Sequence, residues 1–324
     1  MTGRITGTGS YVPAKILSNA DLENMVATSD QWITERTGIR ARYVVGPGEA
    51  CSDLAVNAAR RALDAAKISA SDLDMILLAT CTGDYPLPAT ACLLQHQLGA
   101  TKAAACDLSA ACCGFVYALS MADAYVKTGM RHVLVVGSEV MSAITDWTDR
   151  NTCVLFGDGA GAAVVSASEG THGILSTHLR SDGALWELIA VPGGGSRLPP
   201  SEKVVAEKLN CIKMKGNETF KVAVRTLEEI ARETLAANNV TIADLDLYVP
   251  HQANVRILKA VADRLGLPLD KVMLNLDRYG NTSAASIPIA LDEAVRQGRI
   301  TDGSLVMLGA FGAGLTWASA LIRW

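Results

Sequence analysis

The sequence lacks any stretch that would cross a membrane as a helix. The uncharged apolar run Leu108 to Ala122 is 15 residues, and a span needs about 20. A run of that length is expected to be a helix buried on all sides inside a large protein. The opening residues, Met1 to Ser10, lack the apolar core of a secretory leader. None of the eight cysteines forms a CxxC pair, so a disulfide or metal framework is not expected and a reducing cytosol is the simplest compartment. Positive charge is not in excess either. Lys and Arg number 29 against 33 Asp and Glu, a net charge of −4, which gives no footing for nucleic acid.

What is present suffices for a large core. The chain has 324 residues, 49% of them hydrophobic and 19% charged. That permits one large domain or two of ordinary size and argues against disorder.

The most telling stretch runs from Leu108 to Leu119, LSAACCGFVYAL. Ala103–Leu108 reads as a short buried strand. Phe115, Leu119, Ala122 and Val126 then recur at helical spacing, and Gly129 marks a stop. A cysteine at such a strand-to-helix junction faces the positive end of the helix dipole, where backbone N–H groups favour a thiolate and can hold an oxyanion. Cys112 and Cys113 point about 100° apart on a helix, so one can face a pocket while the other packs. Local spacing does not say which.

A second signal is internal. Ile68–Leu77 (ISASDLDMIL) resembles Val240–Val249 (VTIADLDLYV), 172 residues later. At the same spacing, Ala59, Arg60 and Leu63 match Ala231, Arg232 and Leu235, and Val133–Gly137 matches Leu305–Gly309. Three segments in one register indicate a duplicated unit. Each copy alternates helices with short, wholly apolar strands, the pattern of sheets covered on both faces.

Of five histidines, His96, His132, His172 and His178 sit in contexts expected to be solvated or structural. His251 differs, following the strand Leu245–Val249 directly, with Pro250 fixing the backbone before it. Strand C-termini are where open α/β sheets place ligand groups. Next, Gly280–Asn281 is a turn signal before a run of small residues, Thr282–Ser286, that opens a helix. In the 172-residue register Cys112 corresponds to Ala284, so the two halves should bring Asn281 and Cys112 to one central place. Gly309–Gly314 offers a glycine-rich turn whose N–H groups could approach a ligand. The run Phe156–Ala163 looks like a nucleotide loop, but Val164 and Val165 after it continue as strand rather than helix, so a phosphate site is not expected.

Cys112 in Ala-Ala-Cys-x-Gly-Phe, His251 in Val-Pro-His-Gln-Ala-Asn and Asn281 in Gly-Asn-Thr-Ser-Ala together resemble the β-ketoacyl-[acyl carrier protein] synthase III family. Asp30–Arg40 and Phe311–Trp317 extend the resemblance over nearly the whole chain. It implies a thiolase-like α/β fold, a duplicated unit in a five-layer αβαβα sandwich. The half 1–170 would carry the nucleophile and the half 171–324 the histidine and asparagine. It implies Cys112 as nucleophile, with Cys113 left to packing. It also implies His251 and Asn281 as donors to a malonyl thioester, and the N–H groups of Cys112 and Ala313 as the oxyanion hole. Thr28, Trp32, Arg36, Arg150, Asn217 and Asn254 would hold coenzyme A. Leu87, Phe156 and Leu188 would shape the acyl pocket, Leu87 by reaching across a dimer interface. An acidic acyl carrier protein would land on Lys213, Lys215, Arg256 and Lys259. The family's members are usually homodimers, and their chemistry calls for no metal or redox cofactor.

Related enzymes fit less well. A degradative thiolase needs a second cysteine as base in the C-terminal half; the last cysteine here is Cys211, and the Gly309–Gly314 turn has none. Elongating condensing enzymes need a second histidine where Asn281 stands. Plant-type polyketide synthases have longer chains and other flanking motifs, and a non-catalytic relative would not need all three of Cys112, His251 and Asn281. A same-subfamily enzyme of secondary metabolism is the remaining alternative.

Overall fold

The computed structural model describes residues 1–324. Two sheets carry the fold. The first is ordered β1 (Thr2–Tyr11), β7 (Asp158–Ser168), β6 (His132–Val140), β4 (Met75–Ala79) and β5 (Ala104–Leu108). The second is ordered β11 (Leu247–Pro250), β12 (Leu305–Gly312), β13 (Thr316–Arg323) and β8 (Gly173–Ser181). Two small ribbons, β2 (Lys15–Ser18) with β3 (Ala41–Val44) and β9 (Ile189–Ala190) with β10 (Lys213–Met214), lie outside them.

Helices α5 (Gly114–Lys127) and α11 (Ser286–Arg296) lie between the sheets and share one core with both. α3 (Cys51–Ala66) and α4 (Thr90–Leu98) cover the outer face of the first sheet. α8 (Gly216–Ala237) and α9 (Val255–Leu265) cover the outer face of the second. The result is the five-layer sandwich. Shorter helices, α1 (Asn19–Glu23), α2 (Asp30–Thr37), α6 (Arg150–Cys153), α7 (Glu202–Ala206) and α10 (Leu276–Tyr279), decorate it. No helix is long and apolar enough to cross a membrane.

The apolar strands follow from this layering. In β4, Met75 and Leu77 face the central helices while Ile76 and Leu78 face α3. In β12, Val306, Leu308 and Ala310 point inward and Leu305, Met307 and Phe311 outward. Both sides of each strand are buried, so the alternation of side-chain direction leaves no polar face. α5 buries Phe115, Leu119, Ala122 and Val126 completely, the spacing that the sequence predicts. It ends at Thr128, and Gly129 follows with φ of 118°.

The duplication is visible in the backbone. β4 and β11, α5 and α11, and the 3₁₀ turns Ala111–Cys113 and Ser283–Ala285 start 172 residues apart. Non-glycine residues with positive φ recur at that spacing: Lys67 (56°) with Asn239 (53°), and Ala111 (45°) with Ser283 (48°). The second sheet repeats the strand order of the first without β5. In its place Val272 makes a single parallel bridge to Tyr248.

Two details differ from expectation. The cysteine motif opens with a 3₁₀ turn, and the α-helix proper starts at Gly114. The glycine run at 157–161 is itself the entry to β7, between β1 and β6. Its glycines answer to packing: a Cβ on Gly161 would stand 2.7 Å from the backbone of Pro288 and Ile289 on α11. Gly137 on β6 has the same role, since a Cβ there would lie 2.2 Å from the Ala284 carbonyl oxygen. That contact lets the turn after Asn281 settle on the first sheet.

Candidate active site

The two 3₁₀ turns meet between the sheets, each reaching across to the other half. The Ser283–Ala285 turn packs on β6 through Gly137. The Ala111–Cys113 turn packs on the end of β12, where a Cβ on Gly312 would stand 2.8 Å from the Cys112 nitrogen. Ala111, held at φ of 45°, turns the chain sharply enough to present the Cys112 side chain away from the core. A non-glycine residue there is strained, and the surrounding packing enforces it. Cys113 points the other way, into the central core, with its thiol against the Thr316 carbonyl at 3.3 Å.

A cavity of about 1300 Å³ opens above this meeting point, lined among others by Cys112, His251, Asn281, Phe156, Phe311 and Ala313. His251 and Asn281 are buried at its floor. The His251 Nδ1 lies 2.7 Å from the Ser286 Oγ, which also accepts the Gln252 N–H at 2.9 Å. With that bond accepted, the Ser286 hydroxyl is placed to donate to Nδ1, leaving a proton on Nε2 for the cavity. Burial pulls the His251 pKa down to about 4, so the ring is neutral at neutral pH and serves as a donor. The Oδ1 of Asn281 accepts the Ser283 N–H at 2.9 Å, which directs its NH₂ group to the cavity. Its backbone is fixed between Leu155 and Gly157 by hydrogen bonds of 2.8 and 3.0 Å.

The Cys112 thiol is governed by burial. Desolvation pushes its pKa up to about 12, with the nearby Glu139 carboxylate in the same direction; the Ser283 hydroxyl and the residue's own N–H oppose this. The helix start expected to lower the pKa is outweighed. Cys112 therefore rests as a thiol, and its proton must leave as it reacts.

Toward the mouth the lining turns polar, with Trp32, Arg36, Asn217, Asn254 and Arg256. The Trp32 ring lies between two guanidinium groups, Arg150 at 4.5 Å and Arg36 at 5.0 Å from its centroid. α2 presents it, capped by the Ser29 hydroxyl on the Trp32 N–H. Asn254 caps α9 and donates its amide to the Arg36 carbonyl at 3.1 Å. Thr28 stands just before α2, off the cavity lining, and its buried hydroxyl has no partner.

Other anticipated residues, Arg256 excepted, lie apart from the cavity. Leu87 is 85% exposed on a surface loop. Leu188 packs into the core beneath α8, and its neighbour Ile189 lines the cavity instead. Lys213 pairs with Asp146 at 3.6 Å and Lys215 with Glu187 at 3.2 Å. Arg256 and Lys259 are exposed, and Arg256 lies over the Phe220 ring at 5.6 Å. Sequence reasoning passed over Ser283, Ser286 and Glu139. The serines stand inside the asparagine motif. Glu139 was signalled only as a carboxylate within an otherwise apolar strand.

A thiol, a neutral imidazole and a carboxamide converging on one buried cavity, on a duplicated five-layer sandwich, define a thiolase-like condensing enzyme. Comparison with known proteins agrees. Residues 106–183 match the family model described as 3-oxoacyl-[acyl-carrier-protein (ACP)] synthase III, and residues 235–324 match its C-terminal counterpart. The β-ketoacyl-[acyl-carrier-protein] synthase III of Thioalkalivibrio sulfidiphilus is 56% identical over 321 residues, 99% of this chain and 98% of that one. The solved 3-oxoacyl-[acyl-carrier-protein] synthase III of Aquifex aeolicus VF5 superposes with a TM-score of 0.92 at 47% identity, covering 99% of this chain and 100% of that one. A priming β-ketosynthase from the R1128 polyketide biosynthetic pathway superposes at 0.91 with 38% identity, covering 99% and 96%. The chain belongs to the β-ketoacyl-[acyl-carrier-protein] synthase III family, and it is an acyl-transferring condensing enzyme of fatty-acid biosynthesis.

Proposed function

We propose that the chain primes fatty-acid synthesis by decarboxylative Claisen condensation of an acyl-CoA, acetyl-CoA foremost, with malonyl-acyl carrier protein. Cys112 attacks the acyl thioester and becomes acylated, and the N–H groups of Cys112 and Ala313 hold the developing oxyanion. Coenzyme A leaves and the malonyl carrier enters. His251 Nε2–H and Asn281 NH₂ donate to the malonyl thioester oxygen and stabilise the enolate as carbon dioxide departs. The carbanion attacks the acyl-cysteine and frees the β-ketoacyl carrier. The steps are a thioester exchange, a decarboxylation and an acyl transfer from the Cys112 sulfur to carbon, with the thiolate leaving, so electrons balance without a metal or redox cofactor.

One observation carries this reading: Ser286 engages the Nδ1 of His251 and the Ser283 N–H engages the Oδ1 of Asn281, which leaves the Nε2 of His251 and the NH₂ of Asn281 for the cavity. A neutral donor pair suits a thioester oxygen that gains charge.

Other roles follow from placement. Trp32 between Arg36 and Arg150 would take the adenine and phosphates of coenzyme A, with Thr28, Asn217 and Asn254 along the rest of its length. Arg256 and Lys259 would receive the acidic carrier more readily than Lys213 and Lys215, whose charges are already paired. Phe156 would line the acyl pocket with Leu188 behind it, and Leu87 would enter it from a second copy. The enzyme would work as a cytoplasmic homodimer joined along β5, which pairs on one side only. The division into halves 1–170 and 171–324 is supported by the strands of the first sheet all preceding residue 170 and those of the second all following it.

The test is intact-protein mass after exposure to acetyl-, isobutyryl- and octanoyl-CoA, followed by a malonyl-carrier chase. A single adduct, absent in Cys112→Ala and discharged as β-ketoacyl carrier, is expected. The likeness to a priming polyketide synthase favours a second reading, an enzyme of secondary metabolism. An adduct that the malonyl carrier does not discharge would decide for it.

A further inference from the structure

The side chain of Arg42, on β3, is fully buried, and no carboxylate pairs with it. Taking an unpaired cation out of water is costly. Burial lowers its pKa only to about 10, so it keeps its charge at neutral pH. Its partners are three neutral oxygens. Nη1 donates to the Leu17 carbonyl at 3.2 Å and to the Asn19 Oδ1 at 2.9 Å, and Nη2 donates to the Val154 carbonyl at 2.8 Å. The Asn19 carboxamide is itself held in place, its Nδ2 donating to the Ile39 carbonyl and to the Asp30 carboxylate, each at 2.8 Å. The guanidinium thus joins the start of α1 to the segment that follows α6.

That segment leads to the site. Val154, Leu155 and Phe156 line the cavity, while Arg42 stays off the lining and holds them from behind. The Leu155 carbonyl accepts the Asn281 N–H at 2.8 Å, and the Gly157 N–H donates to the Asn281 carbonyl at 3.0 Å. Phe156 and Asn281 form a single parallel bridge between these two bonds. The Arg42 stem lies against both partners of the bridge. A Cβ on Gly157 would stand 3.0 Å from the Arg42 Cβ, and one on Gly280 3.2 Å from it. The head of Arg42 therefore fixes one side of the bridge, and its stem packs under both. Because the Oδ1 of Asn281 is engaged by the Ser283 N–H, the place of its NH₂ group follows the backbone that this bridge clamps.

We infer that Arg42 is a positioning residue for Asn281: by holding the Val154 carbonyl it fixes the segment that clamps Asn281, and so places the carboxamide at the cavity floor. Arg42 touches none of the reacting atoms. A planar fork with several donors can reach Asn19 and Val154 together, which the single ammonium of a lysine does poorly. A donor aimed at a developing charge loses much of its effect when displaced by about 1 Å. The consequence falls on the step in which Asn281 donates, the decarboxylation and condensation of the malonyl carrier. Acylation of Cys112, in which Asn281 has no part, is spared.

This inference rests on the reading that Asn281 donates to the malonyl thioester, so the experiment includes Asn281→Ala. Two rates are measured on the full-length protein: single-turnover acylation by acetyl-CoA, followed by intact mass, and steady-state condensation with malonyl-acyl carrier protein, resolved into kcat and KM. Arg42→Met keeps an apolar stem and drops the donors. It should lower kcat for condensation about 100-fold, with KM for the carrier and the acylation rate each within about 3-fold. Arg42→Lys should recover about 10-fold of that loss. Added to Asn281→Ala, Arg42→Met should cost less than about 3-fold more, because the group it positions is gone. Acylation falling as far as condensation overturns the proposal, as do unchanged condensation in Arg42→Met or losses that multiply in the double variant. Should Arg42→Met fail to fold, Arg42→Lys decides: condensation slowed about 10-fold with acylation intact supports the role, and unchanged condensation ends it. Failure of both to fold would make Arg42 a residue of the core alone and overturn the assignment. Unchanged condensation in Asn281→Ala would instead remove Asn281 from the reaction, and this inference with it.

Discussion

The two halves build the same turn and spend it on different chemistry. At the spacing of 172 residues, Cys112 stands opposite Ala284, Ser109 opposite Asn281, Ala79 opposite His251, Gly114 opposite Ser286 and Glu139 opposite Phe311. The backbones agree closely, down to the left-handed residues Ala111 and Ser283. In the first half the strand end and helix start meet as bare packing, a Gly114 Cβ position 2.8 Å from the Ala79 methyl. In the second half the same pair is Ser286 and His251, joined by a 2.7 Å hydrogen bond. One scaffold contact thus serves as filler on one side and orients an imidazole on the other. In the proposed mechanism the chemistry is divided, with the nucleophile from the first half and both neutral donors from the second, so neither half would act alone.

Moving the thiol should break the comparison most severely. Cys112→Ala should lose condensation by about 10⁴-fold. Placing a thiol on the mirrored turn with Ala284→Cys in that background should form no acyl adduct by intact mass, because Ala284 is buried off the cavity. His251→Ala, which returns that strand end to the Ala79 form, should slow condensation about 10²- to 10³-fold. Acylation of Cys112 should change only a few-fold, as single-turnover mass measurements would reveal.

The pH dependence of stability should set the halves apart next. His251 has a folded pKa of about 4, below the ordinary 6.5, so the unfolded chain binds the proton first as pH falls. Its contribution to stability is whole above about pH 6.5 and is lost on the way down to about 4, up to about 3 kcal/mol. His251→Gln should lack that loss, as urea unfolding at neutral pH and near pH 4.5 would measure. The smallest effect belongs to Ser286→Gly, the first half's residue at that place. Loss of the Nδ1 bond frees the tautomer, and condensation should fall about 10-fold with acylation unaffected.

Much of this was legible in the sequence, because a 172-residue register ties three motifs to one centre. Cys112, His251 and Asn281 each close a strand or open a helix, places that local patterns mark well. What was not legible depends on neighbours far along the chain. Leu188 and Ile189 differ by one position, and a one-residue step reverses which face a side chain takes. The pairing of Lys213 with Asp146 and of Lys215 with Glu187 is a tertiary event. The high pKa of Cys112 arises from burial under both halves, whereas the local motif carries only the helix start that opposes it. Glu139 finds its partners in the Thr80 hydroxyl, the Cys81 N–H and the Ala284 N–H, all distant along the chain.

The missing counterpart of β5 also bears on how many copies can join. In the second sheet the place beside β11 is occupied by the Val272 segment, and the far edges β1 and β8 lie against one another. Each chain therefore keeps one strand edge open to growth. Two such chains, were they paired edge to edge as proposed, would exhaust the supply, and assembly along that direction would stop at two. Had duplication kept a second open edge, each added copy would have exposed the next site, and the chain would have had the makings of a fibre.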